Sequence, residues 1–372
     1  MLKKIICVGC GIEIQTNDSN LEGYLPKEVI EKTASNRLIC KRCFRLKNYN
    51  KISDVNIGAE DFSKIIKELS KKDALIVKVI DIFDLSGSFI DEILEIIGNK
   101  KDLILVANKM DLLPKSVKEN KVKQWLYKEM KKKNIKFKDI ILLSAIKGHN
   151  LEELIEKLEK YRKKRDIYIL GATNVGKSTL INKLIENTSG EKNVITTSHF
   201  PGTTLDIIKI PLDSKSSIYD TPGIILDYNM AHYLDEKSLK IAIPKKEIKP
   251  KVYQLNSNQS LFLGGMCRMD FVKGERQSFT IYISNMVDIH RSKMKKADII
   301  YKKHLGKLLN PPFEENLSIF KKNVATNFNI SEQKKDIVIS GLGWITINSP
   351  KGCEIKILAP KEIKVFERDS II

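Results

Sequence analysis

Several short sequences in this chain carry residue types that bind a nucleoside triphosphate. The clearest is GATNVGKST at 171–179, in which two glycines separated by four residues precede a lysine and a serine. The glycines let successive backbone N–H groups surround phosphate oxygens at a helix N-terminus. Lys177 is expected to reach the β- and γ-phosphates, and the Ser178 hydroxyl to bind Mg²⁺. Apolar stretches on both sides predict the strand and the helix that a phosphate loop requires.

Two further motifs supply groups for the γ-phosphate and its metal ion. DTPG at 220–223 follows a short strand-like stretch. Its aspartate, Asp220, is expected to hold Mg²⁺ through water, and the Gly223 N–H to approach the γ-phosphate. Between these motifs, a polar stretch contains Thr203 and Thr204. A threonine here completes the magnesium shell only when the γ-phosphate is present, which predicts a switch segment.

The residues that would read the base come earlier in the chain. NKMD at 108–111 follows an apolar run. The Asp111 carboxylate can accept two hydrogen bonds, from the ring N–H and the 2-amino group of guanine. Adenine lacks this edge and would leave the buried carboxylate unpaired. Ser144-Ala145, followed by lysine and glycine at 147–148, matches a loop whose backbone N–H meets the guanine 6-oxo group. The sequence therefore predicts GTP rather than ATP.

Hydrolysis requires a positioned water and stabilisation of developing negative charge. Ras-like enzymes place a glutamine directly after the glycine of the D-x-x-G motif, but here that residue is Ile224. Asn174, inside the phosphate loop, offers a carbonyl oxygen that could hold a monovalent cation; alternatively it only caps the loop. We therefore expect slow intrinsic hydrolysis that K⁺ and a macromolecular partner accelerate.

Four of the six cysteines form two C-x-x-C pairs, Cys7 with Cys10 and Cys40 with Cys43. Two such pairs complete the tetrahedral sulfur shell that Zn²⁺ prefers, and no open position is left for catalysis. The pattern predicts a structural zinc module, whose second pair lies in a basic run that contains aromatic residues. Cys267 and Cys353 stand alone in the sequence and are expected to be buried apolar residues.

The formal net charge of +19 over 372 residues indicates a polyanionic partner. Nucleic acid is favoured over an anionic membrane, because no amphipathic anchor is visible and stable membrane association is not expected. No apolar run approaches the ~18–20 residues that span a bilayer. We expect a cytoplasmic protein with reduced cysteines.

Apolar, strand-like runs alternate with helical stretches in the first two thirds of the chain. The runs lie at 73–84, 102–111 and 139–145, and the helical stretches at 60–72, 88–99, about 116–133 and 151–164. This alternation predicts an α/β fold with a parallel sheet covered on both faces. Beyond about residue 230, strand-like stretches and a Lys-rich helix at about 291–308 predict an α+β domain. The expected domains are a zinc module (1–55), a GTPase domain (56–230) and a C-terminal RNA- or protein-binding domain (231–372).

The order of the motifs resembles that of the circularly permuted GTPases, because the guanine motifs precede the phosphate loop. The four-cysteine module together with CFRLKNYN, GATNVGKST, VITTSHFPGTTLD and YDTPGI is similar to the YqeH family, and the similarity continues through VYQLN, HRSKMKKAD and LGKLLNPP. The resemblance implies a K⁺-stimulated GTPase that acts in assembly of the small (30S) ribosomal subunit, with that subunit or its rRNA as partner. It also favours Thr204 over Thr203 as the magnesium ligand.

The predicted nucleotide site combines these motifs. Its GTP contacts are Asn108, Lys109, Asp111, Ser144, Ala145, Gly171, Asn174, Val175, Gly176, Lys177, Ser178, Thr179, Asp220 and Gly223. The residues assigned to catalysis are Lys177, Thr204 and Asn174. The metal ligands assigned are Ser178, Thr204 and Asp220 for Mg²⁺, and Asn174 for K⁺.

Two readings of the function remain open at the level of sequence. In the first, GTP hydrolysis drives a switch, and the segment at 220–230 transmits the nucleotide state along the chain to residues beyond 240. In the second, a non-hydrolysing RNA-binding scaffold only senses GTP, which the absence of a glutamine at Ile224 keeps possible.

Overall fold

The computed structural model describes most of the chain, which forms two compact units. The described residues are 5, 7, 13–17, 24–32, 38–40, 59–89, 97, 101–188, 196–199, 206–221, 223–313, 317–331 and 333–372. The first unit comprises 1–80, 90–108 and 130–225, and the second comprises 81–89, 109–129 and 226–372. The second unit thus takes two segments from within the predicted GTPase range; the domain boundaries given above stay a prediction.

A seven-stranded mixed sheet organises the first unit. Its strands are β1 Ala74–Asp81, β2 Asp102–Asn108, β3 Asp139–Leu142, β4 Asp166–Gly171, β5 Thr196–His199, β6 Asp206–Pro211 and β7 Ser217–Asp220. They lie in the order β3-β2-β1-β4-β7-β6-β5. The strand that leads into the phosphate loop, β4, is therefore central, although three strands precede it in the chain.

The prediction of a purely parallel sheet is wrong at one edge. The β1–β4, β2–β3 and β4–β7 pairs are parallel, as expected. However, β6 pairs antiparallel with both β5 and β7. β6 and β7 are joined by a short polar turn, and such a connection allows only an antiparallel pair.

In chain order, the described α-helices of the first 190 residues precede or connect these strands. They are α1 Lys27–Lys32, α2 Ala59–Lys71, α3 Glu119–Lys132, α4 Leu151–Arg162 and α5 Lys177–Thr188. Within 88–99, only Ile97 lies in a described helical position beyond residue 89, so that helix is not tested. In α4, Leu151, Leu154 and Leu158 are buried at the spacing of one helix face.

The end of α4 is fixed to the turn between β6 and β7. Arg162, the last residue of α4, donates from Nη1 to Asp213 Oδ2 at 2.8 Å and to Ser216 Oγ at 2.6 Å. The Arg162 guanidinium, in turn, contributes to a pKa of Asp213 well below its usual range, after the hydrogen bond from the Lys215 N–H. The next residues, 163–165, lead directly into β4, so α4 precedes the phosphate-loop strand without a long connection.

The second unit is rich in β-structure rather than an even mixture of helix and strand. Its strands are β8 Lys251–Leu255, β9 Gln259–Leu263, β10 Cys267–Lys273, β11 Gln277–Ile283, β12 Ile289–Lys293, β13 Asn323–Ile330, β14 Lys335–Ile339, β15 Gly343–Ile347, β16 Cys353–Pro360 and β17 Val365–Asp369. They form two antiparallel five-stranded sheets, β12-β9-β10-β16-β13 and β17-β14-β15-β11-β8. The described helices from residue 226 onward are α6 Glu236–Ala242 and α7 Met294–His304.

The Lys-rich helix expected at about 291–308 is shorter than the sequence suggested. Residues 291–293 belong to β12, in which Arg291 pairs with Leu261 of β9. Charged residues that alternate with other types in an edge strand resemble a polar helix in sequence, because an edge strand leaves half of its side chains in water.

An apolar core fills the second unit and contains both isolated cysteines. Cys267 and Cys353 are buried in this core, as the sequence predicted. Burial raises the pKa of the Cys267 thiol to about 12. A thiol with so high a pKa carries almost no thiolate at neutral pH, so Cys267 is a packing residue rather than a nucleophile.

Trp125 of α3 belongs to the second unit through contacts with its C-terminal strand. The Trp125 indole N–H donates to Asp369 O at 3.0 Å, and the Arg368 guanidinium lies 5.1 Å from the Trp125 ring centroid. On its other side, Arg368 lies 5.2 Å from the Trp344 ring. Desolvation by burial lowers the pKa of Arg368, although Asp336 opposes that change.

None of the described helices is both long and apolar enough to cross a bilayer.

Candidate nucleotide-binding site

The phosphate loop begins where β4 ends, at Gly171. A Cβ atom there would lie 2.9 Å from Val175 Cγ2 and 3.2 Å from Val79 O, so the close approach of loop and sheet requires glycine. Gly176 has a φ of 84°. Lys177 then begins α5, which places the lysine and Ser178 at a helix N-terminus. The local structure is the strand–loop–helix unit that the sequence predicted.

Lys177 is buried and paired within the site. Its ammonium contacts Asp220 Oδ1 and the Thr221 carbonyl oxygen. The Thr221 hydroxyl donates to Ile169 O at 2.9 Å, which holds this segment against β4. Lys177 and Asp220, predicted to serve the phosphates and Mg²⁺, are therefore neighbours. Oxygen donors such as those of Asp220 and Ser178 fit the ligand preference of Mg²⁺.

The end of the DTPG motif lies against the phosphate loop. A Cβ on Gly223 would lie 3.3 Å from Thr173 Cγ2. The Thr173 N–H donates to Ile224 O at 2.9 Å, and the Ile224 N–H donates to Gly171 O at 3.3 Å. Ile224 is only 3% exposed. The residue at the position of the Ras-like glutamine thus makes backbone contacts and a buried apolar contact, and it cannot orient water.

Asn174 occupies the turn of the phosphate loop in a left-handed backbone conformation, with φ of 63°. Asparagine adopts this conformation more readily than most residues. Its side chain is exposed. The backbone therefore gives a second reason for asparagine at this position, beside the predicted role as a ligand of K⁺.

Lys78 is a residue near the phosphate loop that the sequence analysis did not single out. It lies in β1 opposite Leu170, one residue before the Val79–Gly171 pair. The side chain is fully buried, and its Nζ has no hydrogen-bond partner among the residues that the structure describes. Desolvation and then the Lys177 ammonium lower the pKa of Lys78 to about 7. A lysine within an apolar strand is the sequence signal that could have indicated it.

Asn108 connects the loops of the predicted guanine and phosphate sites. Its Nδ2 donates to Val175 O at 2.9 Å, and its Oδ1 accepts from the Ala145 N–H at 2.9 Å. The residue is 2% exposed. Both polar ends of Asn108 are thus used to hold the phosphate loop and the Ser144-Ala145 loop together. This bracing role is additional to the predicted base reading.

The Ser144-Ala145 loop is a tight turn after β3. The Lys147 N–H donates to Ser144 O at 3.2 Å, and the His149 N–H donates to Ser144 O at 3.1 Å. Gly148 has a φ of 70°, the left-handed conformation that closes this turn. Because the Ala145 N–H already contacts Asn108, a guanine 6-oxo group would share or displace that hydrogen bond.

The other residues predicted to read guanine, Lys109 and Asp111, follow β2 and belong to the second unit. Lys109 has a left-handed backbone with φ of 68°, and its Nζ pairs with Asp81 Oδ2 at 2.6 Å. Asp111 lies in a short 3-10 turn, Met110–Leu112. The Lys109–Asp81 ion pair fixes the lysine side chain of the NKMD motif. The sequence shows Asp81 only as a carboxylate at the end of an apolar strand and does not indicate its pairing with Lys109.

Asp84 forms a junction of hydrogen bonds in the second unit. Its Oδ2 accepts from Asn229 Nδ2 at 2.8 Å and from the Gly341 N–H at 2.8 Å, and its Oδ1 accepts from the Gly87 N–H at 3.0 Å. Burial, together with the Asp81 carboxylate, raises the pKa of Asp84 to about 6. These contacts join residues far apart in sequence, and no local pattern indicates them.

The described part of the predicted zinc module contains one cysteine of each pair. Cys7 and Cys40 are both buried, and the Cys40 N–H donates to Cys7 Sγ at 3.2 Å. Two sulfur-bearing residues from separate pairs thus meet, and a backbone N–H bonded to sulfur is compatible with a metal-bound thiolate. Cys10 and Cys43 lie outside the described residues. Within the described ranges, no three metal-ligating side chains converge.

The switch threonines also lie outside the described residues. β5 ends at His199 and β6 begins at Asp206, so neither Thr203 nor Thr204 has a described position. Both β5 and β6 were missed by sequence reasoning. The polar, threonine-containing sequence of β5 favoured a loop, and β6 follows it closely in the chain. In the structure β6 pairs antiparallel with β7, and β5 pairs antiparallel with β6.

Two family models match parts of the chain. A model described as "50S ribosome-binding GTPase" matches residues 166–259, which include the phosphate loop and the DTPG motif. A model described as "YqeH-like, C-terminal" matches residues 276–371, most of the β-rich region.

Curated relatives extend this similarity over the whole chain. The chain is 47% identical over 371 residues to the uncharacterized protein YqeH of Bacillus subtilis (strain 168), covering 100% of both chains. It is 29% identical over 429 residues to the NO-associated protein 1, chloroplastic/mitochondrial, of Arabidopsis thaliana, covering 98% of this chain and 76% of that one. A shorter match, 29% over 184 residues, links 46% of this chain to 34% of GTPase Der of Mycoplasma mycoides. The chain is a GTPase and belongs to the YqeH family.

Proposed function

We propose that this protein is a circularly permuted GTPase switch that acts in assembly of the small (30S) ribosomal subunit. The main support for the nucleotide site is a pair of hydrogen bonds made by Asn108. Its side chain bonds to Val175 O and to the Ala145 N–H, each at 2.9 Å. It joins motifs separated by tens of residues into one loop cluster. The central position of β4, with three strands before it in the chain, supports the permutation.

The proposed mechanism assigns positioning and charge stabilisation to the loop residues. On GTP binding, the Lys177 ammonium exchanges Asp220 and the Thr221 carbonyl for β- and γ-phosphate oxygens. Ser178, Asp220 and Thr204 would hold Mg²⁺, which would neutralise phosphate charge when bound. Asn174 would hold K⁺, which would supply the positive charge that other GTPases take from an arginine.

A guanine-reading role is proposed for the residues after β2. Asp111 accepts hydrogen bonds from the guanine ring N–H and the 2-amino group, while the Lys109–Asp81 ion pair holds the lysine chain in place. The Ala145 N–H serves the 6-oxo group. Discrimination against ATP follows from the carboxylate that adenine would leave unpaired.

Cys7, Cys10, Cys40 and Cys43 are proposed to hold a structural Zn²⁺. The burial of Cys7 and Cys40 and the hydrogen bond between them support this assignment. A four-sulfur site has no position for substrate, so the zinc stabilises the module and takes no part in hydrolysis.

The partner is proposed from charge and resemblance. A net charge of +19 favours an RNA-rich particle. The matching family model carries the 50S subunit in its description, whereas the overall resemblance implies the 30S subunit. The two subunits must therefore be compared directly.

The test is co-sedimentation of the full chain with purified 30S and 50S subunits, with a non-hydrolysable GTP analogue, GDP or no nucleotide. We expect pelleting with 30S subunits in the GTP-analogue state and release with GDP. GTP turnover is measured in parallel with each subunit. Stimulation by 50S subunits alone, or pelleting with neither subunit, contradicts the proposal.

The scaffold alternative left open by the sequence, which senses GTP without hydrolysing it, is not retained, because the chain is a GTPase. The buried Ile224, which cannot orient water, instead favours hydrolysis that a partner stimulates. GTP turnover with each subunit tests this.

A further inference from the structure

A large share of the positive charge lies in one short segment of the β-rich unit. Residues 289–308 contain seven lysine and arginine residues and one aspartate, so this stretch of 20 residues carries six of the 19 net positive charges. The segment consists of β12, α7 and the turn after them. Positive charge of this density attracts a polyanion.

The exposed face of α7 is a ladder of lysines. Lys295, Lys296, Lys302 and Lys303 are all exposed, and the two pairs are seven residues apart, about two helical turns, which places them along one side of the helix. Between them lies Ile299, which is 67% exposed. From Lys295 to Lys302 the ladder extends about 10 Å along the helix axis at ~1.5 Å per residue.

The opposite face holds α7 rigidly on the sheet. Ala297 is buried against Phe262, and Tyr301 packs beside them with its ring centroid 6.3 Å from that of Phe262. The Tyr301 hydroxyl lies 2.8 Å from Gly265 O and 2.7 Å from Phe320 O, within hydrogen-bond distance of both. The helix backbone that presents the lysines is therefore fixed before any partner binds, which reduces the entropy lost on binding.

The single acidic residue of the segment, Asp298, already forms an ion pair with Arg268. Asp298 Oδ1 accepts from Arg268 Nη1 at 2.7 Å, and the buried Arg268 also pairs with Asp270. Asp298 therefore compensates Arg268 rather than a lysine of the ladder. Within the described part of the chain, no carboxylate forms an ion pair with the four ladder lysines. Other exposed lysines of this unit do form ion pairs; for example, Lys351 pairs with Glu275 at 2.7 Å.

β12 extends the positive surface along a sheet edge. Arg291 and Lys293 are exposed and lie two residues apart, on the same side of the strand. Charges on an edge strand also prevent edge-to-edge aggregation, which by itself accounts for these two residues. Protection of a sheet edge does not account for the lysines of α7, because a helix has no unpaired strand edge.

We propose that the surface formed by Arg291, Lys293 and the lysine ladder of α7 binds the phosphate backbone of ribosomal RNA. The proposal rests on the proposed function and assigns its RNA contact to one surface. A rigid row of lysines suits phosphate contacts that position a protein without reading sequence. Ile299 lies where it can contact ribose. A membrane-binding helix would need a broad apolar face, and the outer face of α7 has none.

The test uses full-length protein with Lys295, Lys296, Lys302 and Lys303 each changed to glutamine. The matched control changes Lys118, Lys121, Lys131 and Lys136 to glutamine, four exposed lysines in and near α3. Binding to small-subunit rRNA transcripts is measured over a series of KCl concentrations. We expect the ladder variant to bind at least tenfold more weakly, with a log Kd–log salt slope shallower by about 3, because up to four phosphate contacts are lost. The control should differ from wild type by less than threefold.

A quadruple Lys→Arg variant of the ladder should bind like wild type, and all variants should keep the unstimulated GTP turnover and the thermal midpoint. Equal loss in ladder and control variants overturns the surface assignment. The surface assignment is also overturned if the ladder variant binds rRNA normally but no longer binds RNA-free ribosomal proteins or anionic vesicles. If wild type pellets with 30S subunits but binds no naked rRNA, this inference fails while the proposed function stands. If it neither pellets nor is stimulated, the proposed function fails.

Discussion

At the scale of single residues, Asn174 has two possible reasons for its identity, and variants can separate them. Its φ of 63° favours asparagine or glycine, while its side-chain carbonyl is proposed to hold K⁺. Asn174→Gly keeps the backbone conformation and removes the carbonyl. Asn174→Asp keeps both an oxygen and tolerance of the left-handed conformation.

We expect Asn174→Gly to fold normally and to lose most of the K⁺ stimulation, at least tenfold, while its GTP affinity changes little. Asn174→Asp should retain part of the response. GTP turnover in equal concentrations of KCl and NaCl measures this directly. If Asn174→Gly responds to K⁺ like wild type, the residue serves only the loop backbone.

Asp84 provides a pH-dependent contribution to stability whose sign follows from its raised pKa. The pKa is about 6 in the folded protein, against an ordinary value of 3.8, because burial and Asp81 disfavour the carboxylate. The folded state therefore binds this proton more tightly than the unfolded state. The resulting stabilisation is complete below about pH 4 and is lost as the pH rises through 6, a change of about 3 kcal/mol.

Asp84→Asn, which does not titrate, should remove that dependence. Relative to the variant, wild type should lose about 2 kcal/mol of unfolding free energy between pH 4 and pH 7. Urea unfolding at several pH values gives the difference, and comparison with Asp227→Asn, an exposed carboxyl of the same unit, controls for general effects of charge. A constant difference between wild type and Asp84→Asn across this range contradicts the assignment.

At the scale of elements, the sequence predicted what local patterning determines. Helices α2, α3 and α4 lie within about three residues of their predicted ranges, because their apolar residues recur at helical spacing. β5, β6 and β12 were missed because their identity as strands depends on pairing with another strand, which their own residue pattern does not indicate. In the site, the order of motifs predicted the phosphate loop and the Lys177–Asp220 neighbourhood. It could not predict Lys78 or the Asp84 junction, whose roles arise only from tertiary packing.

The Asn108 bridge is the tertiary contact on which the loop arrangement depends most directly. Asn108→Ala removes both 2.9 Å hydrogen bonds and leaves Val175 O and the Ala145 N–H without this partner. Each buried unsatisfied group costs about 1–3 kcal/mol. We expect GTP affinity to fall at least 30-fold, because both loops lose their relative position.

Ser260→Ala is the matched control for Asn108→Ala. It removes a buried hydrogen bond to Asp270 of 2.6 Å in the β-rich unit and should lower stability without changing GTP affinity. Fluorescent GTP binding and thermal unfolding are measured on all three proteins. Equal GTP affinities for wild type and Asn108→Ala would show that the bridge does not organise the nucleotide site.

At the scale of the whole molecule, the position of the DTPG motif determines where its nucleotide response can go. Three residues after Gly223, the chain enters the β-rich unit at Leu226. There the Met230 N–H donates to Ser340 O at 2.9 Å, and the Lys364 N–H donates to Tyr228 O at 3.1 Å. The segment that follows the DTPG motif is thus hydrogen-bonded to the turn before β15 and to the loop before β17. In the proposed permuted chain order, the proposed switch segment is directly continuous with the β-rich unit.

We therefore expect nucleotide state to change amide hydrogen exchange at 226–231 and 340–343 in the full chain. A non-hydrolysable GTP analogue and GDP should give different protection at both segments. Asn229→Ala, which removes the 2.8 Å hydrogen bond to Asp84, should abolish the difference at 340–343 while GTP affinity stays within threefold. Asn285→Ala is the control, because it also loses two side-chain bonds to backbone within the same unit, to the Lys249 N–H and to Glu247 O. If 340–343 exchange equally with both nucleotides in wild type, the response does not travel along this segment, and the order of the motifs has no consequence for output.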